Sequence, residues 1–175
     1  MDLELTEEQR MLADSARAFV SEELLPHENE VEKQGEVPRD LGQQITRKAI
    51  EMGFYAANLP TSVGGGGLDY TSLAVIEREF GKVSHALNGF AWRPTELLMA
   101  CEGDQIERYL EPCVRAQKTE CFAITEPGAG SDILSMATRA KNVGNDWVIN
   151  GSKHFVSSHI LPDFAIVFAV TGIDE

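Results

Sequence analysis

The fold of this chain is decided by the stretch Cys121-Phe-Ala-Ile-Thr-Glu-Pro-Gly-Ala-Gly-Ser-Asp132. Its apolar start predicts a short strand, and the proline and glycines that follow exclude both a helix and a continued strand. Gly128 and Gly130 allow backbone N–H groups to approach a ligand closely, while Thr125 and Ser131 add hydroxyl donors. The stretch is therefore suited to an anionic, planar cofactor, although most Pro-Gly turns after a strand are only turns.

The spacing of these glycines excludes the common nucleotide-binding loops. A Rossmann fingerprint needs a third glycine at position 133, where this chain has Ile133, and no amphipathic helix follows. A Walker loop needs a Gly-Lys-Ser/Thr sequence, which this stretch lacks. The residues alone therefore leave two interpretations open, a ligand-binding loop and an ordinary turn.

Two motifs together resemble one known family, the acyl-CoA dehydrogenases. Residues Ala123–Asp132 resemble the family signature, which fixes a strand, a turn and a polar tail together. Residues Asn150–Ser158, Asn-Gly-Ser-Lys-His-Phe-Val-Ser-Ser, are similar to its second flavin stretch. Similarity to the N-terminal helical domain of the family comes from Leu5-Thr6-x2-Gln9 and from Gly53-Phe54 before Pro60. The resemblance covers the whole chain, whereas the chain covers less than half of the family's length.

The resemblance implies an FAD site built from both motifs. The implied cofactor-binding residues are Phe122, Ala123, Ile124, Thr125, Gly130, Ser131, Phe155, Val156 and Ser157. Ile124 and Thr125 would border the isoalloxazine ring, and Ser131 would contact the pyrophosphate or the acyl-CoA substrate. Phe155 would pack on the flavin, where the family commonly has Trp. Ser157 would reach the hydride-accepting nitrogen, where the family commonly has Thr.

The activity implied by the resemblance is α,β-dehydrogenation of an acyl-CoA thioester, with hydride transfer to the flavin. In the resembling enzymes the base is a Glu from a C-terminal helical domain, and this domain is expected to be absent here. No catalytic residue is therefore assigned, and the 175-residue chain alone is expected to be inactive. Glu96 and Glu126 are interpreted as helix-surface and turn residues, and His154 as a surface residue.

The resemblance also implies partners, and it leaves alternatives open. The implied partners are an acyl-CoA substrate, an electron-transfer flavoprotein, and further copies of the chain in a homo-oligomer of the full-length enzyme. One alternative is a non-catalytic truncated module. The other is a related acyl-CoA oxidase or a nitroalkane-oxidase-like flavoprotein, since nothing in the sequence reports the electron acceptor.

Composition and charge restrict the class of protein. With 43% hydrophobic and 25% charged residues, the composition is typical of a soluble globular protein. The net charge of −13 argues against nucleic-acid binding. Three cysteines without a Cys-x2-Cys pair suggest neither a disulfide framework nor a metal site, and no apolar run reaches the length of about 18 residues for a membrane span. A cytoplasmic location is predicted, with a mitochondrial protein that has lost its transit peptide as the alternative.

Apolar residues at helical spacing predict helices in the N-terminal two-thirds of the chain. Thr6 and Gln9 form a capping box for a helix that ends or kinks at Pro26, with a buried face of Leu12, Ala16, Phe19 and Val20. Pro38 begins a second helix, closed by Gly53, with a buried face of Leu41, Ile45, Ala49 and Met52. Asp69 caps a third helix, whose inward residues are Leu73, Ile76 and Phe80.

The segments between and after these helices are less regular. Residues 54–59 are predicted to be an extended connection, and Gly64–Gly67 a flexible inter-helix loop instead of a phosphate cradle. A further helical stretch is predicted from Ser84 or Ala86 to Ala100, interrupted at Gly89 and Pro94. A short helix is predicted from Asp104 to about Pro112, with Asp104 and Glu107 as its capping pair.

The period of apolar residues changes from helix to strand near Arg115. Five short strands are predicted at 122–125, 136–141, 146–149, 153–157 and 164–171, with a hairpin turn at Val143-Gly144-Asn145. The predicted architecture is α+β, in two domains. Residues 1–115 form an all-α N-terminal domain, and residues 116–175 form an incomplete antiparallel β-barrel or sandwich that binds the flavin, without the family's C-terminal helical bundle.

Overall fold

The structure, a computed structural model, describes residues 4–91, 94–158 and 161–172. The backbone divides into two compact units, Met1–Gln117 and Lys118–Glu175. The first is helical and the second contains the strands, so the predicted change from helix to strand is confirmed. No helix among the described residues is long and apolar enough to cross a membrane.

Helix α1, Glu7–Phe19, begins with the predicted capping box. The Gln9 N–H donates to Thr6 Oγ1, and the Thr6 N–H donates to Gln9 Oε1, both at 3.1 Å. The chain then passes through a π-helical turn, Val20–Leu24, into α2, Leu25–Gln34. Pro26 lies in the first turn of α2, where its missing N–H costs no helical hydrogen bond. The irregularity predicted at Pro26 therefore lies just before it.

Helix α3, Arg39–Glu51, is preceded by Pro38 at its N-cap, one residue earlier than the predicted first helical position. Ile45 and Ala49 are buried as predicted, and Leu41 is partly buried. Met52 is 47% exposed, so its predicted burial is wrong. It lies at the C-cap, beyond the last helical residue, and no longer follows the buried face.

Helix α4, Tyr70–Phe80, is capped by Asp69, whose carboxylate accepts from the N–H groups of Thr71 at 2.8 Å and Ser72 at 3.0 Å. The predicted inward residues, Leu73, Ile76 and Phe80, are buried. The glycine run before this helix is held by four backbone hydrogen bonds, from Gly64, Gly65, Gly66 and Gly67 to the carbonyls of Thr61, Pro60, Ala56 and Leu59. The loop is thus tied to the preceding segment, which the prediction of a flexible loop missed.

Several connecting segments differ from their predictions. Residues 54–59 form turns with buried side chains instead of an extended connection, because the backbone bends through Ala56 at a φ of 56°. The predicted stretch to Ala100 is split into helix α5, His85–Asn88, and 3₁₀ turns at Gly89–Ala91 and Glu96–Ala100. Residues 92 and 93 of that prediction lie outside the described residues.

The last helical segment extends further than predicted. A π-helical turn, Ile106–Leu110, leads into α6, Glu111–Val114, so the helix does not stop at Pro112. Pro112 is again in a first turn, where proline is tolerated. The predicted capping pair, Asp104 and Glu107, is wrong, because no side chain among the described residues caps the start of this segment. Gln105 Oε1 accepts instead from the N–H of Glu102, before the helix, at 3.1 Å.

The helical unit packs around three aromatic rings, Phe19, Phe54 and Phe80, with centroids 5.4 to 5.6 Å apart. Beside this core a carboxylate is buried, since Glu79 of α4 is only 1% exposed. It accepts from Arg17 Nε of α1 at 3.3 Å and from Arg78 Nη2 at 3.1 Å, and it pairs with Lys82. The hydrogen bond from Lys82 is the largest cause that lowers the pKa of Glu79, to about 2. The bond from Arg17 connects α1 to α4.

As far as the structure describes the second unit, four strands form two pairs. Strands β2, Arg139–Val143, and β3, Asp146–Asn150, form the predicted antiparallel hairpin, in which Gly144 supplies the turn with a φ of 71°. Strands β1, Glu120–Ala123, and β4, Phe164–Val167, pair in parallel, so the antiparallel prediction is wrong for them. A parallel pair needs a long crossover, and the 40 residues between β1 and β4 provide one.

Two further strand predictions need correction. Within the described part of the second unit, residues 153–157 form no strand, and Phe155 has a φ of 55°, which interrupts an extended backbone. Strand β4 ends at Val167, before the predicted Thr171. The chain beyond it still joins β2, because the Val170 N–H donates to the Thr138 carbonyl at 3.0 Å and the Val170 carbonyl accepts from the Ala140 N–H at 2.9 Å.

Candidate functional site

The predicted turn after β1 is present. Its four residues, Glu126-Pro127-Gly128-Ala129, are closed by two reciprocal hydrogen bonds between the first and the last. The Glu126 N–H donates to the Ala129 carbonyl at 2.9 Å, and the Ala129 N–H donates to the Glu126 carbonyl at 3.2 Å. Pro127 occupies the first middle position, where proline is favoured in such turns. The turn fixes where the first motif leaves the sheet.

The second motif lies directly beside the first. The His154 N–H donates to the Thr125 carbonyl at 2.8 Å. The Lys153 ammonium donates to the Ile124 carbonyl at 2.7 Å. The structure therefore brings together the two stretches that the sequence motifs picked out separately, although they are almost 30 residues apart in the chain.

Glu126 is the buried centre of this arrangement, with 6% of its surface exposed. Its Oε1 accepts from Lys153 Nζ at 2.8 Å and from the Thr138 N–H at 3.0 Å, and its Oε2 accepts from the Ala137 N–H at 2.5 Å. The bond from Lys153 is the largest cause that lowers the pKa of Glu126, to about 2. An ionised carboxylate with this pKa is a weak base, so Glu126 is unsuited to abstracting a proton.

Sequence reasoning placed Glu126 correctly in a turn, but it missed the burial and the ion pair. Lys153 was also missed as a site residue. Nothing local marks either residue, because a Glu before a proline and a Lys in a polar segment are usually solvated. The only available signal was that both belong to the two motifs of the resembling family.

Gly151 allows the second motif to run close to the entry of β2. A Cβ atom added at Gly151 would lie 2.2 Å from Thr138 Oγ1 and 2.7 Å from the Thr138 Cα. Thr138 is buried, and its Oγ1 has no hydrogen-bond partner among the described residues. The absence of a side chain at residue 151 is thus a packing requirement.

The predicted cofactor-binding residues differ in exposure. Ala123 is buried, Ile124 and Thr125 are partly buried, and the exposed members are Phe122, Gly130, Ser131, Phe155, Val156 and Ser157. Phe155 is 87% exposed, and its ring meets the His154 ring edge-on, with centroids 6.0 Å apart. His154 is exposed, as predicted. The hydrogen bonds in the described part join the two motifs at residues 124–126 and 153–154, and they do not reach Gly130 or Ser131.

The hydroxyl and backbone N–H groups of these residues are chemically suited to hold a flavin. Within the described ranges, the hydroxyls of Thr125, Ser131 and Ser157 have no hydrogen-bond partner, and neither do the backbone N–H groups of Gly130 and Ser131. Free donors beside exposed apolar side chains suit a planar ring that carries heteroatoms and a phosphate tail. The site can therefore hold such a group without breaking an existing hydrogen bond of these donors.

Comparison with known proteins gives matches along both units. The family model for the acyl-CoA dehydrogenase N-terminal domain matches residues 6–117, and the model for the acyl-CoA dehydrogenase middle domain matches residues 121–175.

Individual relatives match over nearly the whole chain. The caffeyl-CoA reductase-Etf complex subunit CarC of Acetobacterium woodii is 35% identical over 97% of this chain and 45% of its own length. The mitochondrial long-chain specific acyl-CoA dehydrogenase of Mus musculus is 36% identical over 94% of this chain and 38% of its own length. The crystal structure of an acyl-CoA dehydrogenase complexed with FAD from Bacillus anthracis is 28% identical, with a TM-score of 0.74, over 95% of this chain and 29% of that one. This chain thus spans less than half the length of these relatives.

Proposed function

Because the chain belongs to the acyl-CoA dehydrogenase family, we propose that its protein catalyses the FAD-dependent α,β-dehydrogenation of an acyl-CoA thioester. In this proposal residues 1–115 are the N-terminal helical domain and residues 116–175 belong to the flavin-binding middle domain. The observation that carries the proposal is the pairing of the two motifs through Lys153 and His154, which leaves the hydroxyls of Thr125 and Ser157 free. When bound, FAD supplies the hydride acceptor.

The residues proposed to hold FAD divide by chemistry. Apolar contact comes from Phe122, Ala123, Ile124, Phe155 and Val156, and polar contact comes from Thr125, Gly130, Ser131 and Ser157. Donors that face a ring gaining negative charge stabilise its reduced form, so the hydroxyls of Thr125 and Ser157 favour hydride acceptance. Ser131, with the free N–H of Gly130, is suited to the pyrophosphate or to the acyl-CoA.

The base of the reaction is not assigned among the described residues. Glu126 is held ionised in a buried ion pair, with a pKa of about 2. Glu96 lies on a 3₁₀ turn of the helical unit. The role of this chain in the proposed reaction is therefore to bind and orient the flavin and to tune its acceptance of electrons.

The proposal also includes the electron acceptor, the oligomeric state and the cellular compartment of the enzyme. One relative is by its name a subunit of an Etf complex, which supports an electron-transfer flavoprotein as the acceptor. The resemblance to the family supports a homo-oligomer. Cys101, Cys113 and Cys121 form no disulfide bond, which supports a reducing compartment such as the cytoplasm.

The first experiment tests Ser157 in the full-length protein. Replacing Ser157 with Ala is expected to slow the reduction of bound flavin by an acyl-CoA about 100-fold, with little change in substrate affinity, because the lost bond strengthens only as charge develops. Anaerobic stopped-flow bleaching of the flavin measures the rate. Ser152→Ala, which removes an exposed hydroxyl from the same motif, is the matched control and is expected to keep the wild-type rate.

Two outcomes would count against the proposal. If Ser157→Ala binds FAD and is reduced at the wild-type rate, the role of Ser157 is wrong. If the reduced wild-type protein is reoxidised rapidly by oxygen and not by an electron-transfer flavoprotein, the protein is an acyl-CoA oxidase instead.

A further inference from the structure

We propose that Lys153 is a positioning residue that holds and polarises the peptide bond between Ile124 and Thr125, so that the Thr125 N–H becomes a fixed and strengthened donor to bound flavin. The proposal rests on the proposed function, because it assigns this donor to the flavin. It adds a residue whose side chain does not need to touch the cofactor.

The contact itself is short and part-buried. Lys153 Nζ lies 2.7 Å from the Ile124 carbonyl oxygen, and the Lys153 side chain is 9% exposed. The peptide is trans, like every peptide bond in the described chain, so the carbonyl of Ile124 and the N–H of Thr125 lie in one plane and point in opposite directions. Holding the carbonyl therefore fixes the direction of the N–H.

The Thr125 N–H is available as a donor. Among the described residues it donates to no other group, while the Thr125 carbonyl is held by the His154 N–H at 2.8 Å. The carbonyls before and after the Thr125 Cα are thus both fixed by neighbouring residues of the second motif. The peptide planes on both sides of the Thr125 Cα are therefore fixed, and the Thr125 N–H remains free to donate.

A cation on the carbonyl oxygen also changes the strength of this donor. It draws electron density towards the oxygen, which makes the N–H at the other end of the same amide more acidic and a better donor. The effect is larger in a buried site, where water screens the charge less. A stronger donor stabilises a ring that gains negative charge more than it stabilises the oxidised ring.

Glu126 has a separate part in this arrangement. Its carboxylate is anchored by the N–H groups of Ala137 and Thr138, and it accepts from the same ammonium at 2.8 Å. It takes one of the hydrogen bonds of the Lys153 ammonium, and the Ile124 carbonyl takes another. A variant of Lys153 alone would leave this carboxylate buried without its cation, so the test has to change both residues.

The test compares two variants of the full-length protein, Glu126→Gln and the double variant Lys153→Met/Glu126→Gln. Both variants lack the Glu126 carboxylate, so neither contains a buried carboxylate without a cation. Only Glu126→Gln keeps the ammonium that contacts the Ile124 carbonyl. With FAD bound, the double variant is expected to shift the two-electron reduction equilibrium of the flavin about tenfold towards the oxidised form, which corresponds to about 30 mV. Lys153→Arg, which keeps a cation, is expected to lie near the wild-type potential. Spectroelectrochemical titration gives each potential.

A second measurement requires no flavin. In the FAD-free protein labelled with ¹⁵N-threonine, the Thr125 amide proton is expected to resonate at lower field in Glu126→Gln than in the double variant, because the ammonium polarises its peptide. Thermal unfolding of each variant separates this effect from a loss of stability.

The results that overturn the proposal are distinct from those that overturn the proposed function. If both variants bind FAD with equal potentials, Lys153 has only a structural role. If the wild-type protein binds no FAD, the proposed function fails, yet the Thr125 resonance still decides whether Lys153 polarises the peptide. An unchanged resonance in the double variant rejects the polarisation.

Discussion

Glu79 of the helical unit and Glu126 of the strand unit are both buried carboxylates with a pKa of about 2, but they are held by different partners. Glu79 is surrounded by three cations, Arg17, Arg78 and Lys82, each about half exposed. Glu126 has one cation, Lys153, whose side chain is only 9% exposed, and two backbone N–H groups from the entry of β2.

The difference determines how each site responds to a change. Around Glu79 the loss of one cation leaves two others, and water can reach the gap because their side chains are half in solvent. Around Glu126 the loss of Lys153 leaves a carboxylate without a cation in a buried position, which is strongly unfavourable. Glu79 thus belongs to a redundant ion network, whereas Glu126 relies on one cation, Lys153, which also contacts the first motif at Ile124.

The largest effect is expected from Lys153→Met. It leaves Glu126 buried and unpaired and releases the Ile124 carbonyl, so the melting temperature is expected to fall on the order of 10 °C. Circular dichroism at neutral pH measures the transition. Lys82→Met, which removes one of the three cations of Glu79, is the matched control and is expected to shift it by only a few degrees. If the melting temperature falls equally in the two variants, Glu126 does not depend on its cation more than Glu79 does.

An intermediate effect is expected from acid. Both carboxylates have a folded pKa of about 2, below their ordinary value of 4.5, so each contributes stability that is fully present above about pH 4.5. This contribution is lost progressively as the pH falls towards 2. Denaturant midpoints between pH 7 and pH 3 should therefore decrease. Glu126→Gln should show a flatter dependence, and midpoint curves parallel to the wild type would show that Glu126 does not contribute.

The smallest effect is expected from Arg17→Met. Arg17 connects α1 to Glu79 of α4, but its side chain is half exposed, and Arg78 and Lys82 remain. We expect the melting temperature to fall by less than about 3 °C. Thermal unfolding followed by circular dichroism is again sufficient. A shift as large as that of Lys153→Met would mean that the three cations of Glu79 do not replace one another.

The features that the sequence predicted correctly depend on neighbours within a few residues. The capping box of Thr6 and Gln9, the cap at Asp69 and the hairpin turn at Gly144 each need only local side chains and local backbone geometry. The buried faces of α1 and α4 follow from the helical period in the same way. Local rules identify these elements because no distant contact competes with them.

The features that were missed depend on residues far apart in the chain. Glu120 of β1 pairs with Phe164 of β4, and no local signal indicates whether such a pair is parallel. The failure of residues 153–157 to form a strand has a similar origin. Phe155 and Val156 fit a strand pattern. The backbone of this segment is instead set by the bonds that Lys153 and His154 make to the first motif.

The candidate site was predicted in its two stretches but not in its internal connections. The motifs identified Thr125 and Ser157 as site residues through resemblance, and these roles remain predictions. The ion pair between Glu126 and Lys153 was not predicted, since charged residues in polar segments are solvated far more often than buried. A buried ion pair of this kind can be recognised only from the folded structure, in which its two residues come into contact.

Gly151 also limits how the sequence of the second motif can vary. At Phe155 and Ser157 the side chains are exposed, and substitutions there meet no crowding from the protein itself. At residue 151 even one methyl group would collide with the side chain and the backbone of Thr138. Homologous proteins that keep this local geometry are therefore free to exchange the exposed residues at positions 155 and 157, but they must retain the glycine at position 151.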